Sequence, residues 1–237
     1  MAEGATHVGV CDNIRKSAFT LAEVLITLAI IGVVAAMTIP TLINNFQEKI
    51  VVTKYKKIYA AFSQAFRYAT IEKGAPETWG IGAYNSDDGN TALYDALSPY
   101  LKISKSCPPG DTTCFDVGDS NIKDHVYTFI LNDGSEVFMF GRSSDCSFVA
   151  GTGKDLQNIC ADIHFSLNGE GGRFWLTKYG IVPKGTSDTT VSIYSFEGSC
   201  LQYKYGEACS AWIIYNENMD YKRCDDLSWN GKHKCSD

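Results

Sequence analysis

Nine cysteines and four histidines are the residues of this 237-residue chain best suited to metal, redox or nucleophilic chemistry. Cys11 stands alone near the N-terminus; the rest are Cys107, Cys114, Cys146, Cys160, Cys200, Cys209, Cys224 and Cys235. Zinc sites are usually marked by close pairs such as C-x2-C, and at least six residues separate any two cysteines here. An even set spread through a polar, loop-rich region is instead the pattern of an oxidising, extracytoplasmic compartment, where thiols become stable disulfides. Connectivity is not written in spacing. The pairing expected here joins sequence neighbours, Cys107 with Cys114, Cys146 with Cys160, Cys200 with Cys209 and Cys224 with Cys235, closing four short loops. His7 lies in the N-terminal stretch, and no two of His125, His164 and His233 have helical metal-ligand spacing, so each reads as a surface or strand histidine.

Other motifs fail on their chemistry. Gly151-Thr152-Gly153-Lys154-Asp155 lacks a phosphate loop's first glycine, Phe148 standing there, and has Asp155 in place of Ser or Thr. No G-x-S-x-G elbow occurs. Asn85-Ser86-Asp87-Asp88-Gly89-Asn90 invites calcium, but Tyr84 and Ser86 stand where an EF-hand loop needs carboxylates, and a solvated turn is the better account. No catalytic residue, no metal site and no cofactor are expected, calcium being the one ion the sequence suggests at all.

Apolar residues make up 45% and charged residues 20%, with a formal charge of −6. The chain can fill a core, and its charge gives no general reason to bind nucleic acid. Lys54, Lys56 and Lys57 form a local basic cluster, read as a solvated helix face.

From Ala18 to Ile43 the sequence is AFTLAEVLITLAIIGVVAAMTIPTLI, with Glu23 its one ionisable side chain. At ~1.5 Å per residue, a helix of this length crosses a bilayer core of ~30 Å. A secretory signal has a shorter apolar core, roughly 7–15 residues. A carboxylate at mid-bilayer costs roughly 2.5–3.5 kcal/mol, so Glu23 needs a partner or an interfacial position.

Phe19-Thr20-Leu21-Ala22-Glu23-Val24-Leu25-Ile26 resembles the prepilin signature of type IV pilins and type II secretion pseudopilins. Counted from Phe19, Glu23 is fifth and Pro40 twenty-second, both as in that family; Ala18 stands where the family usually has Gly. The resemblance implies a leader, residues 1–18, removed by a prepilin peptidase between Ala18 and Phe19, with N-methylation of Phe19. Arg15 and Lys16 hold the leader's end in the cytoplasm under the positive-inside rule. Glu23 is the assembly residue, its carboxylate facing the new α-amino group of a neighbouring copy. The implied partners are the membrane, other pilins or pseudopilins including copies of itself, and an assembly platform. The implied role is a structural filament subunit of the bacterial inner membrane, not an enzyme. The rival is a membrane-anchored, disulfide-rich ectodomain for adhesion or for ligand or DNA binding that does not polymerise.

Pro40 predicts a bend. Beyond it Val51, Tyr55, Ile58, Tyr59, Phe62, Ala65, Phe66 and Ala69 recur at helical steps, and the helix ends near Lys73-Gly74-Ala75-Pro76. The expected divisions are a membrane or filament-core half over 19–43, an amphipathic half over 44–74 and a head over 75–237. In the head, 91–101 predicts a short helix. Val126–Leu131 with Glu136–Phe140 predicts a hairpin through Asn132-Asp133-Gly134, and Ile159–Leu167 with Arg173–Tyr179 a second. Val191–Phe196 and Ala211–Tyr215 are expected as further strands, 102–124 and 197–237 as disulfide-tied loops. Helix first and antiparallel strands after give an α+β, pilin-like fold.

Overall fold

A computed structural model describes residues 20–119, 121–167, 169–190, 192–204 and 206–235. Cys11, Ala18 and Phe19 lie outside the described residues. Two compact units divide between Asn45 and Phe46. The first helix, α1, is assigned over Leu21–Lys73 and includes Pro40. Gly74 ends it at φ +83°, a left-handed geometry that favours glycine.

In the second unit, the face of α1 carrying Tyr55, Ile58, Phe62, Ala65, Phe66 and Ala69 is buried. Val51 is only half-buried, and Val52 takes the inward position. Against this face lies a six-stranded antiparallel sheet in sequence order: β1 Ile103–Cys107, β2 Thr128–Leu131, β3 Glu136–Gly141, β4 Ile159–Leu167, β5 Glu170–Thr177 and β6 Gly180–Pro183. Period-2 alternation sends Ile163, Phe165 and Phe174 toward the helix. The rings of Tyr55 and Phe165 meet edge-on at 4.9 Å and those of Tyr59 and Phe174 at 5.7 Å. Tyr55 also donates its hydroxyl to the Gly171 carbonyl at 2.7 Å. Gly172 permits this approach, because a Cβ there would collide with the rings of Phe165 and Tyr55.

The short helix α2 spans Asp87–Leu97 and is capped by Ser86, whose hydroxyl accepts from Gly89 N. The 85–90 segment is thus a helix start. Buried Asn90 ties three elements together. Its amide donates to the carbonyls of Tyr84 and His125 at 2.8 and 3.0 Å, and its oxygen accepts from Gly141 N at 2.8 Å.

Two expected strands are not found among the described residues. Ser192–Tyr194 forms a 3-10 turn, and Ser210–Asn216 forms the helix α3. Ala211, Trp212 and Ile213 are all buried, so no alternating exposed face existed to hold a strand. Conversely β1, within the expected loop 102–124, pairs with β2 along its length.

The other face of the sheet holds buried charge. Asp162 and Lys184 are both fully buried, with Lys184 Nζ 2.7 Å from Asp162 Oδ1. Arg142 donates through Nε to Asp162 Oδ2 at 2.6 Å, and its Nη2 contacts the same oxygen. Lys184 Nζ also lies 3.7 Å from the centre of the Trp175 ring, a cation–π contact. Beside them His164, 6% exposed, lies tilted against aromatic rings, 4.4 Å from Phe138 and 5.0 Å from Phe140. Its Nε2 has no hydrogen-bond partner.

Burial, followed by the charges of Arg173, Lys184 and Arg142, holds the His164 imidazole well below its ordinary value of 6.5. The unfolded chain therefore binds the extra proton between the folded value and 6.5, and stability falls as pH drops below about 6.5. The expected loss approaches about 1.4 kcal/mol per pH unit. Urea unfolding from pH 7 to 5 should show this slope in the natural protein and a shallower one in His164→Leu.

Candidate functional site

In the first unit, the described part of α1 has one capped end and one charge. Thr20 O accepts from Val24 N at 3.3 Å, which makes Thr20 the residue that caps the helix. Its hydroxyl accepts from Glu23 N at 3.2 Å, while its own N–H and hydroxyl both donate to Glu23 Oε2 at 2.8 Å. This is a reciprocal capping box, Thr-x-x-Glu, which satisfies donors a helix start otherwise leaves open. The spacing was present in the sequence, where Glu23 reads as the assembly residue and not as part of a cap. One carboxylate oxygen is thereby committed to the helix's own first turn.

Leu21–Pro40 is long and apolar enough to cross a membrane, with a mean hydropathy of 2.3 over its span. Its large side chains, among them Leu25, Leu28, Ile31 and Val34, are exposed. The polar hydroxyls in the span are satisfied locally, Thr27 donating to Val24 O at 2.9 Å and Thr38 to Val34 O at 3.0 Å. Neither needs water or a partner. Pro40, which lacks an N–H to donate, lies inside the helical assignment.

The eight cysteines of the second unit form four disulfides: Cys107–Cys114, Cys146–Cys160, Cys200–Cys209 and Cys224–Cys235. His125 pairs with Asp87 at 2.6 Å, and His233 Nε2 lies 3.0 Å from the Trp229 carbonyl oxygen. Among the described residues, no three His, Cys, Asp or Glu side chains come together as a metal site. Lys56 pairs with Glu217, and Lys57 lies 3.2 Å from Asp133. Sequence reasoning missed the Arg142–Asp162–Lys184 cluster. Only strand register, with Asp162 opposite Phe140 and Trp175, brings these distant positions together.

Residues 13–39 match the family model of the prokaryotic N-terminal methylation motif, and this segment is a prepilin-type signature. Among curated proteins none matches the chain, and no solved structure does. Residues 41–170, more than half of the 237, match a second family model. The chain belongs to that family, a family of unknown function (DUF6613).

Proposed function

We propose that the protein is a non-catalytic subunit of a pilus or pseudopilus filament, made as a precursor and cut between Ala18 and Phe19. The observation that carries this reading is the methylation motif over 13–39 coinciding with an apolar helix whose one charge is Glu23. Such a helix is stable in two surroundings, lipid and a bundle of identical helices, because both leave its apolar surface dry. Assembly then exchanges one for the other. The filament partners are copies of the chain or related pilins, brought together on an assembly platform after a prepilin peptidase removes the leader. Before assembly the chain rests in the inner membrane with residues 75–237 outside the cytoplasm, which agrees with four disulfides in that part.

Mass spectrometry of protein from its native membrane tests the cut. The expected mature chain begins at N-methylated Phe19, and an unprocessed N-terminus that keeps the leader would remove this reading. Because Ala18 replaces the usual Gly, Ala18→Gly should raise the processed fraction in a short pulse.

A further inference from the structure

The face of the sheet turned away from α1 carries a groove. Its floor is set by register: Phe138, His164 and Arg173 stand side by side on β3, β4 and β5. Phe140 and Arg142 continue the floor, and Val117, Ile122 and Tyr84 wall a cavity of about 430 Å³ above it. A second cavity of about 320 Å³ adjoins it through Val117, Phe138, His164 and Arg173. The wall is anchored to the fold. The Cys107–Cys114 disulfide, the Gly110 N to Lys123 O hydrogen bond and the Asn90 clamp on Tyr84 and His125 all hold its segments.

His164 is the unusual member. A buried polar atom without a partner costs stability, and an aliphatic side chain of similar volume would remove that cost. The ring nevertheless forms part of both cavities. A half-turn about its outer torsion exchanges Nε2 with Cε1, so the nitrogen can be presented on either edge of the ring. Two guanidinium groups, Arg142 and Arg173, line the same cavity, and Arg142 is oriented by Asp162.

The geometry points to a binding site for a small organic carboxylate, its charged end at His164, Arg173 and Arg142 and its apolar body against Phe138, Phe140, Tyr84 and Ile122. A carboxylate accepts charge-assisted hydrogen bonds from guanidinium N–H groups, of which each arginine carries five, and a floor of this kind with few polar groups is typical of small-molecule sites. Asp119 lines the larger cavity and Glu136 the smaller; both oppose a dianion more strongly than a monoanion. Glu170, also beside the smaller cavity, is paired with Lys222.

Phenylacetate and its neutral isostere phenylacetamide test this by calorimetric titration of the full chain in nonionic detergent. Phenylacetate should bind saturably and about tenfold or more tightly than phenylacetamide, as expected for a charge-assisted pair. His164→Leu should unfold at no lower urea concentration than the natural protein and bind phenylacetate about tenfold more weakly or worse. Equal affinity for the two probes, or no binding of phenylacetate at millimolar concentration, overturns the proposal on the unmodified protein, whatever the variant does. Unchanged phenylacetate affinity in a folded His164→Leu overturns it as well.

Discussion

Glu23→Gln is expected to leave the protein in the membrane while removing it from filaments, and Glu23→Ala to do the same. The two variants separate capping from the proposed assembly role. Glutamine keeps an oxygen that can accept from Thr20, as Glu23 Oε2 does, and so preserves the helix start; alanine loses it. If the assembly role depends on the negative charge facing a neighbour's new amino terminus, both substitutions abolish incorporation. The measurement is the share of protein in sheared filaments against the membrane fraction. Incorporation by Glu23→Gln near the natural level would assign Glu23 to capping alone. The Thr20 contacts satisfy one Glu23 oxygen within the helix itself, with no neighbour needed.

The second large effect is expected at Asp162. Asp162→Asn keeps the shape of the side chain but leaves Arg142 and buried Lys184 without the carboxylate between them. Breaking a buried ion cluster from one side typically costs about 3–5 kcal/mol, and urea denaturation should show a loss of that size. Asp95→Asn, at an exposed helix position, should stay within about 0.5 kcal/mol. Replacing all three members together, Arg142→Met, Asp162→Leu and Lys184→Met, should recover much of the loss, since no charge then remains buried. A loss below about 1 kcal/mol for Asp162→Asn would mean that water reaches the cluster.

The parts of the fold legible in the sequence are those whose periodicity is long or whose turns are distinctive. Tyr55 to Ala69 recurs over several helical turns. The Asn132-Asp133-Gly134 turn lies between β2 and β3, with Gly134 at φ +82°. Ala211–Tyr215 misleads because five aromatic, β-branched and small residues suit either period. What decides for a helix is the burial of four successive residues, Ala211 to Ile214, and one sequence window does not contain it. β1, Ile-Ser-Lys-Ser-Cys, is an edge strand with three exposed residues in its middle, so it lacks the apolar signature that marks an inner strand.

Site residues divide in the same way. The prepilin-type signature is contiguous and therefore readable. The groove is not, because Arg142 follows β3, Asp162 and His164 lie in β4 and Arg173 in β5, and they meet only through register. His164 carries no local signal that distinguishes it from a surface histidine. The signal that could have marked the cluster is the appearance of ionisable residues, Asp162 and His164, inside an otherwise apolar run of β4.

Each disulfide joins one cysteine to the next along the chain, across separations of 7, 14, 9 and 11 residues. A head delivered into an oxidising space in chain order, Cys107 first, would present each native partner before any later competitor. Correct pairing can then follow from the order of delivery alone, bond by bond, without a later round of thiol exchange to repair mismatches.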